Sequence, residues 1–452
     1  MPRTPNTRLR HLMEEADWSP AQLAAAVKVV AAEHGQQLAC DRSTVSRWLS
    51  GTTPRPPVPA FLLEALARRL GRPITAYDAG LTSAPARTAM SGLSWEADPL
   101  RKLAILTSTD TGPSRRHHLA AGVFTLTALA VPEAADLARP KAATRHGPSS
   151  STGRNGRVGR AEVDHMQTMA RLFAQAAEDH GAGHVQPVLN YYLSHSVTGW
   201  VHAPATDTIH RQLLTQASQL TTLLGLMGAD CGADALAQHC YRTAAHLAAD
   251  ADDMTAFAIA LRALSAHAHE LGHHTPAVHH VAERAADATR HAPAAVRAYT
   301  HTHLAVTRAH HDRYAALNTL TIAERLHDKT HATPGPFTTY STGALHYQRA
   351  QILTTLGDHR EAVQALTASL RHRTPDERRA TTLTRARLAE TLLAQGHLDA
   401  ATVHWQAFLD TYPLLHSARA TRHLDTMRQL LRPHSRHHTA AHLLTQATDL
   451  HP

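Results

Sequence analysis

The stretch LGDHREAVQAL, residues 356–366, places a glycine between two apolar helical patterns and an alanine five positions after that glycine. The same arrangement returns in QGHLDAATVHW, residues 395–405. A glycine in this position ends the first helix in a left-handed cap, and the small alanine lets the second helix pack closely against the first. Each stretch therefore predicts a pair of packed helices.

The turn residue and its alanine recur along the C-terminal part of the chain. The pairs are Gly228/Ala233, Gly272/Ala277, His311/Ala316, Gly357/Ala362 and Gly396/Ala401. Their spacings are 44, 39, 46 and 39 residues. A period in this range is typical of stacked helix pairs, so residues 161–452 are predicted to form an α-solenoid.

The two clearest units resemble tetratricopeptide repeats at the opening of the second helix, where that family has a turn glycine and an inner alanine. His359 and Leu398 stand where the family usually has an aromatic residue, and the period is longer than usual. The resemblance implies a divergent tetratricopeptide-like region. A generic helical array is the alternative.

Composition limits the classes of protein to consider. The 452 residues exceed what one compact core usually holds, and low aromatic content (4%) with abundant alanine favours helices over β-sandwiches. Three cysteines give no disulfide framework and indicate a reducing cytoplasm. The start MPRTPN is not a signal peptide, and no apolar run is long enough for a membrane helix.

Positive charge is concentrated near the N-terminus. Residues 1–160 hold 21 Lys and Arg against 12 Asp and Glu, a balance of +9, whereas residues 161–452 hold 24 against 25. Residues 145–160 are also rich in Ser, Gly and Arg. A polyanionic partner is therefore expected in the N-terminal third, where residues 81–160 read as a basic flexible linker containing a short apolar segment at 119–131.

The first 80 residues read as short helices with sharp stops, over 7–17, 21–34, 42–50 and 61–70. Asp41 is the expected N-cap of the third helix, and Gly51 ends it. Within DRSTVSRWLSG, residues 41–51, helical spacing puts Val45, Trp48 and Leu49 on one face. The other face carries arginine and hydroxyl side chains, which can contact base edges and phosphates in a DNA major groove. The candidate DNA-binding residues are Arg42, Ser43, Thr44, Ser46 and Arg47, together with Arg55 in the segment that follows.

This segment resembles the helix-turn-helix domains of actinobacterial (Streptomyces-type) transcriptional regulators, including those with a tetratricopeptide-like C-terminal region. STVSRWLSG matches the recognition helix of that family, and residues 55–75 match the scaffold that follows it. The resemblance covers about residues 4–80 closely. About nine extra residues near 30–39 leave open whether the second helix is long or the turn is a loop. A small helical protein-interaction domain is the alternative.

Residues 269–279, HELGHHTPAVH, match the H-E-x-x-H motif of zinc peptidases. On one continuous helix His269 and His273 would share a face, with Glu270 as general base and His279 as a third ligand. Pro276 departs from the metzincin pattern, and Leu271-Gly272 also fits a repeat turn. We therefore expect neither a metal at these histidines nor enzyme activity.

A twin-arginine-like segment at 114–135 begins with Arg115 and Arg116. Together with the histidine motif it defines a rival interpretation, an exported zinc metallohydrolase. Its internal position favours a short docking helix instead.

The sequence thus predicts an all-α protein with a helix-turn-helix domain (1–80), a basic linker (81–160) and a helical-repeat domain (161–452). The residues indicate a cytoplasmic protein without cofactor or membrane contact, and the resemblance implies a transcriptional regulator involved in development or secondary metabolism. Its expected partner is double-stranded DNA. The repeats would mediate homodimerisation or bind a peptide, small-molecule or protein effector.

Overall fold

The computed structural model describes residues 4–33, 36–72, 74–82, 93–107, 124–137, 158–329, 337 and 340–450. In this part of the chain the regular elements are helices and no strand is present, so the predicted all-α class is confirmed. None of these helices is both long and apolar enough to span a bilayer. Arg115 and Arg116 lie outside the described residues.

The N-terminal unit consists of four helices around a core of its own. They are α1 (Thr7–Glu15), α2 (Pro20–Glu33), α3 (Arg42–Leu49) and α4 (Val58–Leu70). Apolar side chains from all four, such as Leu9, Val27, Trp48 and Leu62, are buried together. The helices predicted from the sequence are present, and α2 ends at Glu33 with an extended segment over 36–41 before α3.

Two segments of the predicted linker are helical and pack on the C-terminal region. They contain α5 (Pro99–Thr107), a 3₁₀ turn (Leu126–Leu129) and α6 (Ala134–Leu137). Leu103 and Phe124 are fully buried, and the amide of Gln238 bonds both the N–H and the C=O of Thr125. The prediction of a flexible linker is therefore wrong for 93–107 and 124–137, because their apolar side chains are part of the core.

The C-terminal region opens with helices that precede the first pair. They are α7 (Arg160–His180), α8 (Ala182–Tyr192), a π-helical stretch (Leu193–Val197) and α9 (Thr198–His202).

Helix pairs then follow one another along the chain, an arrangement consistent with an α-solenoid. They are α10 (Asp207–Asp230) with α11 (Asp234–Asp250), α12 (Met254–Glu270) with α13 (Pro276–Ala288), α14 (Ala294–Arg308) with α15 (Arg313–His327), α16 (Thr342–Thr355) with α17 (His359–Arg371), α18 (Arg378–Ala394) with α19 (Leu398–Thr411), and α20 (Ala418–Leu431) with α21 (His438–Leu450). Short 3₁₀ turns follow α19 (Tyr412–Leu414) and α20 (Arg432–His434).

The repeat turns are confirmed in residues 356–366 and 395–405. Gly357 and Gly396 adopt φ of +84° and +82°, which an L side chain rarely takes. Ala362 and Ala401 are fully buried, as close packing of the second helix requires.

The turn of the first predicted pair and the alanine of the second need correction, whereas the second turn is at Gly272 as predicted, with φ +85°. Gly228 lies inside α10, and the left-handed turn is at Gly232, with φ +76°. The glycines of α10 serve packing instead: a Cβ on Gly225 would lie 2.6 Å from the ring of Tyr241 in α11. Ala277 is exposed, so Val278 provides the buried contact at the start of α13.

The array folds back on itself, because its first helices contact α18 and the segment between α19 and α20. Arg379 of α18 pairs with Glu178 of α7 and, at 3.4 Å, with Asp230 of α10. The backbone N–H of His416 donates to the His180 carbonyl at 2.9 Å, and that of Gly183 donates to the His416 carbonyl at 3.0 Å. These contacts join the first helices of the C-terminal region to its fifth helix pair and to the segment before the sixth.

Candidate DNA-binding surface

A charged cap fixes the start of α3. Asp41 Oδ1 accepts hydrogen bonds from the Thr44 backbone N–H, Ser43 Oγ and Thr44 Oγ1, each at 2.8 Å. These bonds, led by the one from the Thr44 backbone, lower the pKa of Asp41 to about 2. The carboxylate also interacts favourably with the positive end of the helix dipole. The N-cap predicted at Asp41 is confirmed.

The inner face of α3 attaches the helix to the core of the N-terminal unit. Val45 is fully buried and Trp48 is 5% exposed, while Leu49 is half-buried. The apolar face predicted from helical spacing is therefore confirmed. Because this face is covered, the opposite side of α3 is the one that solvent can reach.

The outer face carries the predicted arginines. Arg42 and Arg47 are exposed on α3, and Arg55 is exposed three residues before α4. Arg47 Nη2 donates to Thr44 Oγ1 at 3.1 Å, which leaves its other guanidinium nitrogens available to an acceptor. The surface therefore presents planar, bidentate donors of the type that bind guanine edges and phosphates.

The predicted hydroxyl residues have another role in this conformation. Ser43 and Thr44 donate to the Asp41 carboxylate, and Ser46 Oγ donates to the Arg42 carbonyl at 3.0 Å. These hydroxyls stabilise the helix itself. Among the predicted residues, the arginines are thus better placed to contact a polyanion.

Sequence reasoning missed Asn6, which holds α3 in place from outside. Its backbone N–H donates to the Leu49 carbonyl at 2.9 Å, and its Nδ2 donates to the Ala79 carbonyl at 2.9 Å. Its Oδ1 also caps α1 by accepting from the Leu9 N–H. An asparagine just before a helix is a capping signal, but the contacts with residues far along the chain could not be read from the pattern.

A further cation lies close to the start of α3. Lys28 is exposed on α2 and acts electrostatically on Cys40, opposing the rise in the pKa of that thiol caused first by burial and then by Asp41. Lys28 therefore adds positive charge near the N-terminus of α3. Its position depends on how α2 packs against α3, which the charge count did not reveal.

The H-E-x-x-H residues do not assemble into the zinc site of the rival interpretation. Helix α12 ends at Glu270, and Gly272 turns the chain with φ +85°, so His269 and His273 do not share one helical face. The carboxylate of Glu270 forms an ion pair with Arg419. In the described residues no convergent group of ligand atoms includes His273 or His279.

The other two histidines of that motif have separate surroundings. The ring of His273 stacks on Phe124, and its Nδ1 lies 3.9 Å from a carboxylate oxygen of Glu33. His279 Nδ1 lies 3.0 Å from Thr307 Oγ1. The structure thus accounts for His273 and His279 as packing and hydrogen-bonding residues.

Comparison with known families concerns the N-terminal unit. Residues 9–82 match the family described as the SP15 N-terminal domain. The matched residues run from Leu9 of α1 to the segment after α4, which is the four-helix unit that carries the arginine surface. No curated protein matches the chain.

Proposed function

We propose that this protein is a DNA-binding transcriptional regulator in which α3 enters the major groove. The observation that carries the proposal is the two-sided character of α3. Val45 and Trp48 fix its inner face, and Arg42 and Arg47 are exposed on the outer one. The excess positive charge of residues 1–160 supports the same assignment, because phosphate contacts supply much of the affinity of such proteins.

We propose that the C-terminal helix pairs mediate homodimerisation or recognise a signal. In regulators of the kind that residues 4–80 resemble, a tetratricopeptide-like region would mediate homodimerisation or bind a peptide, small-molecule or protein effector. Stacked helix pairs offer an extended surface suited to either role. We place this regulator in the cytoplasm, in the control of development or secondary metabolism.

The experiment combines genomic footprinting of the tagged protein with gel-shift titration of the sites found. Arg42→Ala and Arg47→Ala should each weaken DNA binding by about 1–3 kcal/mol, because each removes a guanidinium group that can donate hydrogen bonds to a base edge or to a DNA phosphate. Arg371→Ala, at an exposed arginine in α17, is the matched control and should leave affinity unchanged. Full affinity in both α3 variants would refute the role of α3.

The same titration tests the proposed dimer. Full-length protein should bind a paired site more tightly than a fragment of residues 1–160, by up to about 10²–10⁴ where the spacing fits, since two linked reading heads gain effective concentration. Sedimentation of both proteins supplies their mass. Equal affinity of the two proteins for the paired site would show that the helix pairs do not assemble the DNA-binding form.

A further inference from the structure

Three histidines from two successive repeat turns converge at one edge of the helix array. His269 lies near the end of α12, His274 lies in the turn after it, and His310 lies in the turn after α14. Their ligand nitrogens all lie within 4.8 Å of one another. In the described part of the chain, no other group of three or more His, Cys, Asp or Glu side chains meets this criterion.

The geometry of the cluster is close to what a metal ion requires. His269 Nε2 and His310 Nε2 lie 2.9 Å apart, and the rings of His274 and His310 stack with centroids 3.7 Å apart. Two imidazole nitrogens bound to one tetrahedral zinc ion lie about 3.3 Å apart, given bonds of about 2.0–2.1 Å. His274 is exposed, so its side chain can rotate to bring the third nitrogen into range.

The surroundings keep these imidazoles in the form that binds metal. Burial, and then the neighbouring His274, lower the pKa of both His269 and His310 to about 4, and burial also lowers the pKa of His274. Neutral imidazole offers a lone pair on one nitrogen, which a metal ion needs. His303 is close to His269 but bonds Ser265 Oγ at 3.0 Å, so it is held outside the cluster.

We propose that His269, His274 and His310 bind one zinc ion, which ties the α12–α13 turn to the α14–α15 turn. Imidazole ligands suit borderline ions such as Zn²⁺, and the exposed side of the cluster leaves a fourth position to water. This ligand set shares only His269 with the H-E-x-x-H motif, and Glu270 is engaged by Arg419. Because its ligands come from two different turns and Glu270 is paired with Arg419, we assign the ion a linking role, although three imidazoles and a water are also the ligand set of a catalytic zinc ion. The assignment does not depend on DNA binding.

The test is a titration of full-length, chelator-treated protein with Zn²⁺ in competition with a chromogenic chelator. One ion per chain should bind, and His274→Ala and His310→Ala should each weaken binding by more than about 100-fold, a larger loss than removal of an outer-shell partner causes. Co²⁺ bound to the wild-type protein should give the visible absorption of tetrahedral coordination. Because His274 is exposed, its substitution should leave the helical circular dichroism of the metal-free protein unchanged.

His372→Ala is the matched control, since His372 stacks on His346 in a histidine pair away from the cluster. It should keep the affinity of the wild-type protein. Only weak, graded binding to many histidines, or a tight site that survives both His274→Ala and His310→Ala, would overturn the proposal.

Discussion

Asp41 is a single carboxylate on which the start of α3 depends, and its protonation has a predictable effect. Its pKa is about 2 in the folded protein, against about 3.9 for an unperturbed aspartate. The stability it contributes is therefore complete above about pH 4 and is lost as the pH falls through about 2. Asp41→Asn should destabilise the protein at neutral pH, and the difference from wild type should shrink on acidification. Urea unfolding as a function of pH measures this difference.

The matched control for Asp41 is Glu14→Gln, at an exposed carboxylate on α1. It should unfold like the wild type at each pH. A constant gap between wild type and Asp41→Asn from neutral pH to about pH 2 would contradict the role of the charged cap.

For α3 the sequence predicts the buried face and the N-cap, but not the hydrogen bonds that the Ser43 and Thr44 hydroxyls donate to Asp41. Val45 and Trp48 follow from helical spacing, and an aspartate before a helix follows from its capping preference. Whether Ser43 and Thr44 face a partner or their own cap depends on side-chain rotamers, which spacing does not determine.

Helix α5 carries a buried lysine, Lys102, which is 1% exposed. Its Nζ lies 2.9 Å from His246 Nδ1. His246 Nε2 lies 3.1 Å from the Leu137 carbonyl, which can only accept, so Nε2 carries the proton and Nδ1 accepts from the lysine. Lys102 thus links α5, α11 and the end of α6.

Burial, and then the nearby Arg242, lower the pKa of Lys102 to about 7. Between about pH 7 and about pH 10 the unfolded chain binds more protons than the folded one, so this group makes stability rise with pH. Lys102→Met should stabilise the protein near neutral pH and remove that rise, because it replaces a buried charge with an apolar chain of similar length. Urea unfolding across this pH range tests the prediction.

Lys28→Met, at an exposed lysine of α2, serves as the control and should keep the pH dependence of the wild type. The prediction would be wrong if Lys102→Met unfolded at a lower urea concentration than wild type near neutral pH. It would also be wrong if the rise with pH persisted in that variant.

The helix pairs show how well the spacing of a turn glycine and an inner alanine predicts where two helices meet. A glycine followed by a buried alanine located the α16–α17 and α18–α19 pairs, because a left-handed turn and close packing both restrict residue type. The same rule misplaced the first turn at Gly228, since a glycine within a helix can equally serve close packing, as Gly225 does against Tyr241. Composition predicts a flexible linker over 81–160 because an average over many residues does not show a few buried side chains such as Phe124.

For the whole molecule, the contacts that could not be predicted are those between residues distant in sequence. The His269, His274 and His310 cluster brings together residues from two turns, whereas the H-E-x-x-H motif binds metal only when its two histidines lie on one continuous helix. The contacts by which the array folds back on itself also cannot be predicted from the repeat period, because that period describes only the packing of neighbouring repeats.

The contacts by which the array folds back depend on Asp230, which is 3% exposed at the end of α10. Its carboxylate accepts from Ser417 Oγ at 2.8 Å and from the Ala182 backbone N–H at 3.2 Å, and it lies 3.4 Å from Arg379. Asp230→Ala should lower the free energy of unfolding by about 3 kcal/mol, because it removes one partner of a buried, hydrogen-bonded ion pair. Hydrogen exchange should increase first around Ala182 and Ser417, where the first helices meet the segment before the sixth pair.

The comparison for this last change is Asp399→Ala, at a carboxylate whose side chain is 92% exposed. That variant should lose no more than about 0.5 kcal/mol, as surface substitutions usually do. If both variants lost equal stability, or if exchange in Asp230→Ala rose evenly along the chain, the predicted stabilisation by the contacts of Asp230 would be wrong. A larger loss in Asp230→Ala, with exchange rising first around Ala182 and Ser417, would instead show that the contacts of Asp230 stabilise the C-terminal region.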